Sequence, residues 1–165
     1  MEDVVARVMQ QWGRVRPELD TAPMAVIGRL NRCYLLLQQA EDAPLARHGL
    51  TRPEFDVITA LRRVGQELTP GRLARETFSS GAAVTKRLRA LEERGLISRR
   101  TDERDRRVTH LSLTEAGRAL VDEVLPAQLA HESAFLSALD ETSRADLAER
   151  LSELLVLLEG RLGGL

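Results

Sequence analysis

The chain has 165 residues, enough for one domain with a real core, with 24 basic and 25 acidic residues and a formal net charge of −1. Only 3% of residues are aromatic, and Leu, Ala, Glu and Arg dominate, so a mainly α-helical protein is expected. Cys33 is the only cysteine, which excludes an intrachain disulfide or a Cys-rich metal site and fits a reducing cytoplasm; no apolar run has membrane length and no signal peptide is seen.

The first element expected is a short helix over 2–13, with Val4, Val5, Val8, Met9 and Trp12 on one face. A connector from Arg14 to Thr21 contains Pro17. A second helix runs from Pro23 to Ala40 and buries Val26, Ile27, Leu30, Tyr34 and Leu37. Glu41 to Gly49 reads as a break around Pro44. Thr51-Arg52-Pro53-Glu54 is a capping box, with Leu50 and Phe55 as its hydrophobic staple; the helix it opens ends at Val64, before Gly65. Thr69-Pro70 opens the next helix, stapled by Leu68 and Leu73 and ending near Phe78.

Ser80 then caps a helix to Arg94. Val84, Leu88 and Leu91 recur at i, i+4 and i+7, a narrow buried stripe, and Gly95 stands where a helix stops. That stripe turns Thr85, Lys86 and Arg89 outward. The two short helices with their tight connection form a helix-turn-helix. A hairpin follows, with strands at Leu96–Arg100 and Val108–Leu113. Five arginines and three acids lie between Arg99 and Arg107. A polar helix followed by an arginine-tipped ribbon is the layout of a winged helix-turn-helix on DNA.

Thr114 caps a long helix to about Ala138 that Pro126 should kink. The last helix, about Ser143 to Leu162, carries Leu147, Leu151, Leu154, Leu155, Leu157 and Leu158. So wide an apolar arc suits a second chain, and a dimer built from both ends is expected; an intramolecular bundle is the other solution. His48, His110 and His131 are scattered, and no phosphate loop, nucleophile elbow or metal-spaced cluster occurs, so an enzyme is not expected.

The order of these elements resembles the MarR family of bacterial transcription regulators. The residues carrying the resemblance are Leu-Thr-x-x-x-Phe-Asp-Val from Leu50, Leu73-Ala74, Thr85-Lys86-Arg87-Leu88-x-x-Leu91-Glu92-x-x-Gly95-Leu96-Ile97, Asp102-Glu103-Arg104-Asp105-Arg106-Arg107 and Leu113-Thr114-x-x-Gly117-Arg118-Ala119-Leu120. The resemblance implies a homodimer on a palindromic operator, acting as a repressor that a small molecule releases, with no cofactor and no membrane. Residues 50–114 would be the winged helix-turn-helix, and 1–49 with 115–165 the dimerisation helices. Ser79, Ser80, Thr85, Lys86, Arg87 and Arg89 would face DNA from the helix. Arg104, Arg106 and Arg107 would do so from the wing, with Arg107 in a minor groove and Asp105 bracing it.

The N-terminal third, from Gln11-Trp12 through Pro17-Glu18-Leu19-Asp20-Thr21 and Pro23-Met24 to Leu30, is similar to the urate-responsive subgroup of that family. That subgroup's ligand residues fall on Trp12, Asp56, Arg87 and Arg99, where Asp56 could pair with the half-buried Arg87. Two alternatives remain open: another phenolic or carboxylate effector, and redox sensing through Cys33.

Overall fold

A computed structural model describes residues 2–40, 42–77 and 79–162. Helices α1 (Val4–Val15), α2 (Ala22–Ala40) and α3 (Asp42–Ala46) lead into α4 (Arg52–Val64), α5 (Pro70–Glu76) and α6 (Gly81–Glu93). Strands β1 (Ile97–Thr101) and β2 (Thr109–Leu113) form an antiparallel hairpin with Ile97 opposite Leu113 and Arg100 opposite His110. Two long helices close the chain, α7 (Glu115–Phe135) and α8 (Glu141–Leu162). The chain is thus mainly helical with one small ribbon.

Local chemistry sets the boundaries. The capping box at Thr51 and Glu54 is formed in both directions, and Gly65 ends α4 at φ 69°. Thr69, Ser80 and Thr114 each cap a helix through a side-chain oxygen. α8 is capped by Asp140, whose Oδ1 accepts from the Ser143 amide, so the helix starts one cap earlier than serine alone would place it.

The core lies where α4, α5, α6, α7 and the hairpin meet. Phe55, Val57, Ile58, Leu61, Leu73, Val84, Leu88, Leu91, Leu111 and Val121 are buried there. Leu68 adds a one-residue bridge to the ribbon: its amide donates to the Leu111 carbonyl (3.0 Å), and its carbonyl accepts from the Leu111 amide (2.8 Å). This pair holds the ribbon to the body. α7 is joined just as closely. The Thr114 amide and hydroxyl donate to the carbonyls of Leu96 (3.1 Å) and Gly95 (2.7 Å), and a Cβ on Gly117 would sit 2.0 Å from the Leu96 oxygen.

Several expectations need correction. The break at 41–49 contains α3, because buried Leu45 seats one helical turn against α4 and α7; Pro44 falls in the first turn, where a missing N–H costs nothing. Glu41 and Phe78 lie outside the described residues, and α5 stops at Glu76. Helix α7 runs through Pro126 and ends at Phe135, three residues short of Ala138. α1 continues to Val15, its end closed by the Arg16 amide on the Trp12 carbonyl. The expected inner face of α2 is not inner in the single chain: Val26 is 52% and Tyr34 62% exposed, and no α2 residue is buried. α1 packs on α2, where Val5 meets Gly28, and α8 buries nothing. The apolar surfaces of α1, α2 and α8 are therefore left facing outward.

The Gly117 approach generates a stability prediction. Gly117→Ala drives a methyl onto a backbone carbonyl that two neighbouring elements hold in place. It should cost about 2–4 kcal/mol in urea unfolding followed by circular dichroism, with the slope unchanged.

Candidate nucleic-acid interface and ligand pocket

The buried stripe fixes how α6 is presented. Val84, Leu88 and Leu91 are 0%, 1% and 0% exposed, so Thr85, Lys86 and Arg89 must point to solvent. Ser80 Oγ accepts from the Ala83 amide (3.4 Å). Thr85 Oγ1 donates to the Gly81 carbonyl (2.9 Å), and Arg89 pairs with Glu93 one turn on (2.9 Å). Lys86, the only lysine, has no hydrogen bond or ion pair among the described residues.

Arg87 is placed differently from its neighbours. It is half-buried, and its Nη1 donates to Ser79 Oγ (2.9 Å), which itself donates to the Thr77 carbonyl (3.1 Å). A serine hydroxyl has one proton, so in the free chain Ser79 spends it inside the turn. Arg87 and Ser79 thus latch the α5–α6 turn from within. At the other end of α6, Arg94 forks onto the carbonyls of His48 (3.0 Å) and Gly49 (2.8 Å).

The wing tip is shaped by one carboxylate. Asp102 Oδ1 accepts from the amides of Arg104 (2.8 Å) and Asp105 (3.0 Å), while Oδ2 faces His110 Nε2 at 2.9 Å. The Asp105 amide, His110 and the Arg104 amide together hold its carboxyl down to about 2. Asp105 accepts from the Arg107 amide (3.0 Å), so any bracing it gives Arg107 in the free chain runs through the main chain and not the guanidinium. The side chains of Arg104, Arg106 and Arg107 are exposed and have no partner among the described residues. Near the tip end of the ribbon, Arg100 pairs with Glu67, and this hydrogen bond is the main reason the Glu67 carboxyl is lowered.

The four candidate ligand residues each have their own surroundings. Asp56 pairs with Arg52 (3.1 Å) on its own helix and not with Arg87, because a guanidinium one turn away on the same face is the nearer partner. Arg52 also reaches Glu132 on α7 (3.1 Å). Asp56 lines a pocket of about 240 Å³ with Thr59, Arg63, Glu76 and Thr77. Arg87 reaches this pocket's wall through Ser79 and Thr77. Arg99 pairs with Glu92 on α6 (2.8 Å). Trp12 sits on α1, 41% exposed. Of the four, Asp56 alone lines this pocket; Arg87 is tied to Thr77 through Ser79, and Trp12 and Arg99 lie elsewhere. Cys33 is exposed on α2. Among the described residues no group of His, Cys, Asp and Glu could hold a metal ion, and no helix is long and apolar enough to cross a membrane.

Comparison with known proteins agrees with this geometry. The chain is 34% identical over 145 residues to the HTH-type transcriptional regulator PecS of Dickeya dadantii, covering 87% of each chain, and a family model described as MarR family matches residues 48–108. The chain belongs to the MarR family. It is also 35% identical over 103 residues to the transcriptional repressor MprA of Escherichia coli, covering 62% of this chain and 58% of that one. Among solved structures, BpsR of Bordetella bronchiseptica, described for regulation of its DNA binding by 6-hydroxynicotinic acid, superposes with a TM-score of 0.72 at 26% identity over 79% of this chain and 94% of that one. The MepR–DNA complex of S. aureus gives 0.71 at 26% identity over 81% and 98%.

In this MarR-family transcription regulator, the family model's match runs from just before α4 to the end of the wing tip, the part that folds around α6. Three members of this site carry no sequence signal for the partners they take, although Glu92 stands within the stretch that carries the family resemblance. Glu67 lies in a polar loop, Glu92 reads as helix surface, and Arg94 reads as the end of a helix. Each gains its role only when a distant backbone arrives beside it.

The wing's capping carboxylate predicts an acid threshold. Its folded value lies below the ordinary 3.8, so its contribution is complete above that pH and is lost as pH falls toward about 2. Hydrogen exchange should show protected Arg104 and Asp105 amides near neutral pH. Asp102→Asn should strip that protection from the tip while leaving core amides unchanged.

Proposed function

We propose that this MarR-family regulator binds operator DNA as a homodimer, with α6 in the major groove and the wing beside it, and that a flat anion releases it. The observation that carries the DNA reading is the distribution of unpaired charge. Five arginines that run between elements of the winged core, Arg62, Arg63, Arg94, Arg99 and Arg100, are bound to carboxylates or carbonyls, whereas Lys86, Arg104, Arg106 and Arg107 stand exposed on two adjacent elements with no partner among the described residues. A net charge near zero does not oppose this, since phosphate contact depends on local cations. Ser80 and Thr85 add hydroxyls to the same face, and Arg89 can leave Glu93 for a phosphate at little cost, because exposed pairs are weak. In the free chain Ser79 and Arg87 serve α6 through the turn that sets its angle.

The dimer is supported by the outward apolar surfaces of α1, α2 and α8, which a second copy would cover. A two-fold dimer carrying one α6 per subunit calls for a palindrome with half-sites about 10 base pairs apart. Mobility-shift titrations test the interface. Arg107→Ala should weaken binding to all sequences and lower the salt slope by roughly one per subunit. Lys86→Ala should instead relax sequence preference, costing about 1–3 kcal/mol on the preferred site. An unchanged salt slope in Arg107→Ala removes the wing from the interface.

Urate is the effector proposed, through Trp12, Asp56, Arg87 and Arg99. Support comes from the pocket beside Asp56 and from the ion pairs an anion would compete with. Drawing Arg99 from Glu92 would loosen β1 from α6, and an anion near Arg87 would disturb the latch on Ser79. A second effector class, hydroxylated aromatic carboxylates, is favoured by the likeness to BpsR. Urate should quench the fluorescence of Trp12 saturably, Arg99→Ala should abolish the quench, and saturating urate should lower DNA affinity about 5- to 150-fold. Equal DNA affinity with and without millimolar urate discards urate as effector.

A further inference from the structure

His110 stands at the joint between wing and body. It lies on β2 opposite Arg100, half-buried between two carboxylates from different parts of the chain. Its Nε2 is 2.9 Å from Asp102 Oδ2 at the tip, and its Nδ1 is 3.7 Å from Glu67 Oε2 in the loop between α4 and α5. Glu67 also holds Arg100. Among the described residues no other ionisable side chain pairs with the ring; α4, α5 and α7 approach β2 on the side where Leu111 and Leu113 are buried.

A neutral imidazole has one N–H and can donate to one carboxylate only; the other ring nitrogen then turns a lone pair toward an anion. The protonated ring donates from both nitrogens. It also changes the local charge. Glu67, Asp102 and Arg100 sum to −1 with a neutral ring and to zero with an imidazolium, beside a surface meant for phosphates. We propose that His110 is a positioning residue of the wing, whose protonation clasps the tip to the body so that DNA affinity rises as pH falls through the imidazole range. The same ring fixes Asp102, and Asp102 holds the turn bearing Arg104, Arg106 and Arg107. The inference rests on the reading of the wing as a DNA element.

The test uses the full-length protein and a duplex selected with it from a random pool. Wild type should gain about three- to tenfold in affinity from about pH 8 to about pH 5.5, beyond any change in His110→Gln, for a dimer with two such clasps. Glutamine keeps one N–H donor for Asp102 and cannot be protonated, so at the upper pH the two proteins should bind alike. An equal pH slope in His110→Gln overturns the proposal. A ring titration by NMR on wild type stands apart from the variant's folding. Because linkage is reciprocal, adding duplex at fixed pH must raise the protonated fraction of His110. The chain has only three histidines to assign, and an unchanged fraction overturns the proposal. Arg107→Ala separates the two levels. Weakened binding there with a full slope in His110→Gln sinks the clasp alone; undiminished binding there sinks the wing reading and the clasp with it.

Discussion

The stripe of Val84, Leu88 and Leu91 is the constraint on which the DNA-facing surface depends. Each is sealed against α4, α5 or the base of the ribbon, and a helix rotated by even one residue would expose them. Burying three aliphatic side chains contributes roughly 4–9 kcal/mol before entropy is counted. That is far more than any exposed ion pair on the helix supplies. The apolar side therefore decides the orientation, and the polar side is simply what remains. Leu96 and Leu113 carry the same logic into the ribbon, which leaves the core already committed to a direction.

Around this core two sets of arginines contrast. Arg62 joins α4 to Asp122 on α7, Arg63 joins α4 to Glu76 on α5, Arg94 joins α6 to the corner after α3, Arg99 joins β1 to α6 and Arg100 joins β1 to Glu67. These are bonds between elements, made by a side chain whose planar fork suits paired acceptors. The second group projects from the tip and makes none. A chain with nearly equal numbers of acids and bases can thus hold a localised positive surface, because Glu67, Glu76, Glu92 and Asp122 are taken up by bonds between elements. The outward positive face is a result of where pairing is complete.

Much of this was legible in the residue pattern, for identifiable reasons. Capping residues at Thr51, Thr69, Ser80 and Thr114 are short-range signals, and all four helices begin there. The i, i+4, i+7 stripe is likewise local. Leu68 was legible only as a helix staple; its ladder bonds to Leu111 depend on a partner 43 residues away in the chain. α3 is too short to show a period, and its one deciding residue, Leu45, is defined by what surrounds it. For Asp56 and Arg87 the residue types invited a mutual pair, but each found a partner closer in sequence, Arg52 and Ser79. Choice among several possible partners is geometric, and composition does not encode it. The apolar faces of α1, α2 and α8 were visible as patterns, and the single chain leaves them uncovered.

The position of Trp12 has an optical consequence. It is the sole tryptophan and lies on α1, which packs on α2, while the winged core is built of Leu, Val, Ile and Phe55. In the ligand-free protein, intrinsic emission therefore watches the N-terminal helical pair and not the packing of the winged core. If the two parts melt together, emission and ellipticity will trace one curve. If α1 and α2 loosen first, emission will shift while the helical signal of the core persists, and the separation between the traces will measure how far the two ends of the molecule share one cooperative unit.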